Sequence, residues 1–147
     1  ATAWNCMVMV LFVLSMAACR QTAPQQQLRT QLTQMQQAVE QRRPAQVIEH
    51  VAEDFVGSHG MDRQGIERLL RLQLLRNAQI SVVLGPAQVE IGPQGTARMR
   101  FTALLTGGQG GRLPERGRVH QVDTHWRQEG AQWQLYSAQW EPAEATP

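Results

Sequence analysis

Few residues of this 147-residue chain could carry acid–base, nucleophilic or metal chemistry. They are four histidines, His50, His59, His120 and His125, the cysteines Cys6 and Cys19, and scattered carboxylates. The histidines and cysteines fit no usual zinc-ligand spacing, so no metal is expected. "GGQGG" lacks the Lys-Ser/Thr that a phosphate-cradling loop needs, and no G-x-S-x-G nucleophile turn occurs, so no cofactor is expected either. An imidazole titrates near neutrality and can serve as base or sensor, which leaves His59 and His120 to be placed. His59 lies in the Gly-flanked stretch "GSHG", where an ordinary loop residue and a ligand contact are equally good readings. His120 opens an alternating stretch and reads first as a half-exposed residue beside a loop. Asp54 follows Glu53, and the two read as a solvated pair, because a general base there would need burial to raise its pKa.

Cys19 has a different chemistry. Met7 to Ala18 is apolar except for Ser15, too short for the ~20 apolar residues of a spanning helix but right for the hydrophobic region of a secretory signal. The ending Met16-Ala17-Ala18-Cys19 resembles the lipobox of bacterial lipoproteins. That resemblance implies removal of residues 1–18 as a signal peptide and acylation of Cys19, which becomes the new N-terminus. It also implies that Arg20, in place of an Asp, lets the protein pass to the periplasmic face of the outer membrane. "ATAWNC" departs from the pattern in carrying no positive charge ahead of the apolar run. The membrane, through this anchor, is thus an expected partner. Nucleic acid is not, since the net charge is only +2 and no strongly basic face is evident.

These residues need elements to hold them. Residues 19–27 read as the lipidated cysteine and a polar tether, 28–141 as one domain, and 142–147 as a disordered tail. Leu28, Leu32, Met35 and Val39 recur at helical spacing, and Pro44 stops that helix. Pro44 can start a second helix whose apolar face is Val47, Ile48, Val51, Ala52 and Phe55. Asp62 is a good N-cap for a third, with Ile66, Leu69, Leu70 and Leu74 on its stripe and Glu67–Arg71 in the favourable order. Arg63, Arg68 and Arg71 read as its solvated face. Beyond Asn77 the period becomes two: "AQISVVLG", "AQVEIG", "TARMRFTALLT", "RVHQVDTHWR" and "QWQLYSAQW" read as strands, with "QEGA" as a hairpin loop and "GGQGGRLPERG" as a mobile loop. The fold class is α+β: three N-terminal helices on a curved antiparallel sheet of four or five strands.

This order, with "THWRQEGAQWQLYSAQW" and "EDFVGSHG", resembles the nuclear transport factor 2-like superfamily, which includes ketosteroid isomerases and polyketide cyclases. The resemblance implies a cystatin-like cone, a bent sheet wrapped on helices with a pocket at its wide end. It implies no single reaction, because the superfold hosts enzymes, binding modules and adaptors. Three functions follow as expectations: binding of a small apolar ligand or a protein partner without catalysis; an isomerase- or cyclase-type enzyme using Asp54, His59 or His120; and a homodimeric adaptor joined through the outer sheet face. In such enzymes an acid near the position of Asp54 can act as general base. Strand parity puts His120, Val122, Thr124 and Trp126 on the helix-facing side, with Asp123, His125, Arg127, Arg98 and Arg100 opposite. An Arg100–Asp123 pair across strands would then be a surface feature. Trp126, Trp133 and Trp140 are expected in the core or a pocket wall, and Trp126 joins Asp54, His59 and His120 as a pocket candidate.

Overall fold

The apolar stripe beginning at Leu28 belongs to helix α1, Pro24–Glu40, in the computed structural model, which describes residues 23–108 and 119–143. Proline at the first helical position suits the helix start, so α1 begins four residues earlier than the stripe alone predicts. Cys19, the apolar run before it and residues 144–147 lie outside the described residues. The helix closes on Arg42 in the left-handed region, φ 61°, with the Arg42 amide donating to Val39 and the Arg43 amide to Ala38. Such a closure usually takes glycine. Here the arginine side chain has a second use: its guanidinium donates to the carbonyls of Leu74, Asn77 and Ala78, satisfying the C-terminus of helix α3, Arg63–Arg76. Asp62 caps the other end of α3 as expected, accepting from the Gly65 amide at 2.7 Å.

The expected second helix is cut short. Helix α2 spans only Pro44–Ile48, and Val51–Gly57 is a strand, β1. Val51, Ala52 and Phe55 are buried as anticipated, but from an extended backbone. The remaining strands are β2, Gln79–Leu84; β3, Gln88–Ile91; β4, Thr96–Gly108; β5, Val119–Glu129; and β6, Gln132–Pro142. They form a six-stranded mixed sheet in the order β1-β6-β5-β4-β2, with β3 also on β4. The β1–β6 pair is parallel and the others are antiparallel, so the antiparallel expectation fails at one edge. A large bulge between Val51 and Val56 throws Glu53 and Asp54 outward from β1, which protects that edge from pairing with another chain. Pro142 still belongs to β6, and the Ala143 amide donates to Val119, so ordered chain continues past the expected tail boundary.

The core is built from Leu28 of α1, Ile48 of α2, Val51 and Phe55 of β1, Ala97 and Met99 of β4, Trp126 of β5, and Trp133, Leu135 and Ala138 of β6. Helix α1 is also clamped to the sheet by polar side chains. Gln31 donates to the carbonyl of Trp133, and Arg29 to that of Ala87. Gln36 donates to the Val82 carbonyl while Glu40 accepts from the Val82 amide at 2.9 Å. The last two stand where a neighbouring strand would, so α1 closes the free edge of β2.

Candidate functional site

Register turns the helix-facing side of the sheet into rows of side chains. Ala97, Trp126 and Leu135 form one row; Met99, Thr124 and Ala138 the next; then Phe101, Val122 and Trp140; then Ala103, His120 and Pro142. The first two rows are buried, with Met99 and Trp126 at 0% and 1% exposure. Those that follow are part-buried at Phe101, Val122, Trp140, Ala103 and His120. The inner face therefore runs from a filled end to an open end, and the described residues of these rows at the open end are apolar apart from His120. The chain leaves the sheet at Gly108 and returns at Val119, both at this end.

Trp126 belongs to the filled end. Its indole N–H donates to Thr124 Oγ1 at 2.8 Å, and Thr124 Oγ1 donates to the Met99 carbonyl at 2.7 Å. With that N–H spent and the ring enclosed, Trp126 is core rather than pocket wall. Trp133 is likewise buried, its N–H directed to Gln27. Trp140 is the tryptophan of the open end, in the row of Phe101. Its ring lies against Gly57, where an added Cβ would sit 3.0 Å from Trp140 Cη2, and its amide donates to Ser58 Oγ.

That serine starts the 3-10 turn Ser58–Gly60, which places His59 at the same end as Trp140 and His120. His59 is exposed and sits at φ 60°, ψ 27°, a left-handed conformation uncommon outside glycine. Asp54 is elsewhere. It lies on β1, not on a helix, and its carboxylate accepts two hydrogen bonds from Arg127 at 2.7 and 2.9 Å. Arg127 holds its pKa below the ordinary carboxylate value, the reverse of what a general base at neutral pH requires. The structure thus brings His59 and His120 to one end, removes Trp126 to the core, and sends Asp54 to the outside.

The outer face carries an ion-pair ladder only partly foreseen. Arg100 and Asp123 are opposite in register, yet Asp123 accepts from Nε and Nη2 of Arg98, and Arg100 pairs with Glu90 at 3.0 Å. Long arginine side chains reach diagonal partners, which parity alone cannot rank. Arg127 adds Glu129 at 2.8 Å and lies 5.6 Å from the Tyr136 ring centre. Arg98 holds the Asp123 carboxyl below its ordinary value, and the carboxylates of Asp54 and Glu129 raise the Arg127 pKa. These groups satisfy one another, and at the exposed surface they contribute little stability.

His50 went unremarked in the sequence beyond its failure to fit a metal pattern. It lines a groove of about 310 Å³ between α1 and α2 with Gln34, Gln37, Gln41, Gln46 and Glu49. Its Nδ1 is buried without a hydrogen-bond partner, and burial lowers its pKa below 6.5. Among the described residues no group of three or more His, Cys, Asp or Glu side chains could hold a metal ion, and no helix is long and apolar enough to cross a membrane.

No family model matches the chain, and no curated protein matches it. Solved structures do. A protein provisionally named a scytalone dehydratase, from Novosphingobium aromaticivorans, superposes with TM-score 0.73 at 11% identity, covering 82% of this chain and 84% of that one. A nuclear transport factor 2-like protein of unknown function from Pseudomonas putida gives 0.67 at 17% identity, with 82% and 87% covered. An uncharacterised cystatin-like protein from Caulobacter vibrioides gives 0.69 at 11%, with 84% and 92% covered. At such identities the likeness speaks for architecture: this chain has the nuclear transport factor 2-like, cystatin-like α+β fold.

Proposed function

We propose that this chain is a lipid-anchored protein of the bacterial envelope whose cone domain binds a small, mainly apolar ligand without transforming it. The observation that carries the binding half is the composition of the open end: Phe101, Ala103, Val122 and Trp140 are part-buried and apolar, with His120 as their titratable neighbour in register. Ligand sites are mostly apolar with a few orienting polar groups, and the residue types at this end match that composition. Among the described residues the one carboxylate proposed as a base, Asp54, is committed to Arg127 on the other side of the sheet. The anchoring half rests on the sequence Met16-Ala17-Ala18-Cys19 behind an apolar run, followed by Arg20. It would set the domain at the periplasmic face of the outer membrane.

Titration of an apolar fluorescent probe, followed through the probe's own emission, tests the binding half. Saturable binding should weaken on Ala103→Trp, which fills the open end, and on Trp140→Ala. Binding unaffected by both substitutions overturns it. For the anchor, Cys19→Ser should release the protein from the membrane fraction, and mass spectrometry of the mature protein should find acyl chains on Cys19.

A second reading has two observations in its favour. His59 and His120 come to the same end of the sheet, and a structural neighbour carries a dehydratase name. Under that reading, substrate turnover depends on both imidazoles, and His120→Ala abolishes it while leaving the fold intact. The homodimeric adaptor reading would instead bury the outer-face ladder.

A further inference from the structure

We propose that the exposed face of α3, together with the α1–α2 turn beside it, docks on an anionic lipid bilayer. This goes beyond the ligand reading and depends neither on the open end nor on acylation of Cys19. Two leucines of α3 point into water, Leu75 at 83% exposure and Leu72 at 40%. At about 100° per residue, Arg68, Arg71, Leu72 and Leu75 fall within roughly a 100° arc, opposite the Ile66, Leu69 and Leu70 stripe. Arg42 of the turn stands alongside, its guanidinium on the carbonyls of Leu74, Asn77 and Ala78, and the exposed Arg43 follows it in the chain. Arg42, Pro44, Arg71, Leu74 and Leu75 line a groove of about 310 Å³ between turn and helix. Glu67, ion-paired to Arg71 at 2.8 Å, offsets one of these four positive charges, so the patch stays cationic.

Charge and shape together select the occupant. Leucines surrounded by arginines match a surface where negative phosphates overlie hydrocarbon: the leucines enter the boundary layer, and the guanidinium groups stay at phosphate level. The arginines of α3 have no aromatic residues between them on the helix, as stacking on nucleic-acid bases would need. The groove places an apolar floor, Pro44 and Leu74, between two guanidinium groups, which suits a phospholipid headgroup and its glycerol.

The test uses the full chain carrying Cys19→Ser, which removes the thiol that acylation requires. It is sedimented with vesicles rich in phosphatidylglycerol and with vesicles of phosphatidylcholine alone. Binding is expected on the anionic vesicles and should weaken as salt rises. Arg68→Gln with Arg71→Gln should lower partitioning by about 25-fold, roughly fivefold per arginine. Leu75→Ser should lower it about tenfold. Both sites are exposed, so circular dichroism should show the variants folded. Equal binding to both vesicle types, unchanged by these substitutions, would mean that the apolar segment at residues 7–18 does the binding and would overturn the proposal. Absence of binding to anionic vesicles would overturn it as well.

Discussion

The two ends of the inner sheet face are made by the same strands and differ in what covers them. At one end Met99, Trp126, Trp133 and Leu28 meet at 0–2% exposure, and the Trp126 and Thr124 hydrogen-bonding groups are used up inside the protein. At the other, Phe101, Val122 and Trp140 form the row next to Met99, Thr124 and Ala138 and keep part of their surface. The lesson is that an alternating strand specifies a face, whereas the helix lying over it decides which stretch becomes core. Helix α1 covers the first rows and is pinned there by Gln31 and Gln27, while Gln36 and Glu40 further along hold it to the edge of β2. Helix α3 packs instead towards α2 and β1, where Arg63 reaches the carbonyls of Ile48 and Val51.

Paired truncations probe that contrast most strongly. Trp126→Ala should cost about 3–5 kcal/mol in chemical denaturation, through lost burial and the cavity left behind. Trp140→Ala should cost only about 1–2 kcal/mol, because its ring is partly solvated already. Equal losses would mean that the open end is as much core as the filled one. Gly57→Val comes next. Its side chain would collide with the rings of Trp140 and Phe55, so destabilisation of about 1–3 kcal/mol is expected, with a change in Trp140 emission.

Smaller effects sharpen the distinction. His59→Gly should raise stability by up to about 1 kcal/mol, since φ 60° suits glycine better than histidine. If it also weakens ligand binding at the open end, the strained histidine is there for function. The filled end should respond to acid through His50, whose backbone carbonyl accepts from the Leu135 amide at 2.8 Å. Burial lowers the His50 pKa, so the unfolded chain takes up a proton first as pH falls below 6.5. Its stabilising contribution is therefore complete above that pH and declines as pH falls through the lowered value. Asp54 and Asp123, whose folded pKa values are depressed, add a further decline below about pH 4. As pH falls below 6.5 the melting temperature of the parent should drop more steeply than that of His50→Gln; equal slopes would show that His50 does not carry this decline.

How much of this was legible beforehand differs by element. The stripes of α1 and α3, the Asp62 cap, the Glu67–Arg71 pair and the inward parity of His120, Thr124 and Trp126 all followed from short-range spacing, and all are present. Strand β1 did not. Val47, Ile48, Val51, Ala52 and Phe55 repeat at helical intervals, and the bulge that places Glu53 and Asp54 side by side outside the sheet erases the two-residue alternation a strand would show. Only pairing with β6, some 80 residues away, makes that segment extended. Helical spacing consequently puts Asp54 in the wrong element.

Local periodicity, caps and turn residues act over a few positions, and on their own they determined the class of the chain, most of its elements and the face each presents. The tertiary structure decided the rest: the parallel edge strand, the diagonal choice of Arg98 over Arg100 by Asp123, the spending of Gln36 and Glu40 on the edge of β2, and the burial of Trp126 while Trp140 stays half open. Each of those depends on which distant segment arrives at hydrogen-bonding or van der Waals distance, and short-range spacing does not encode that meeting.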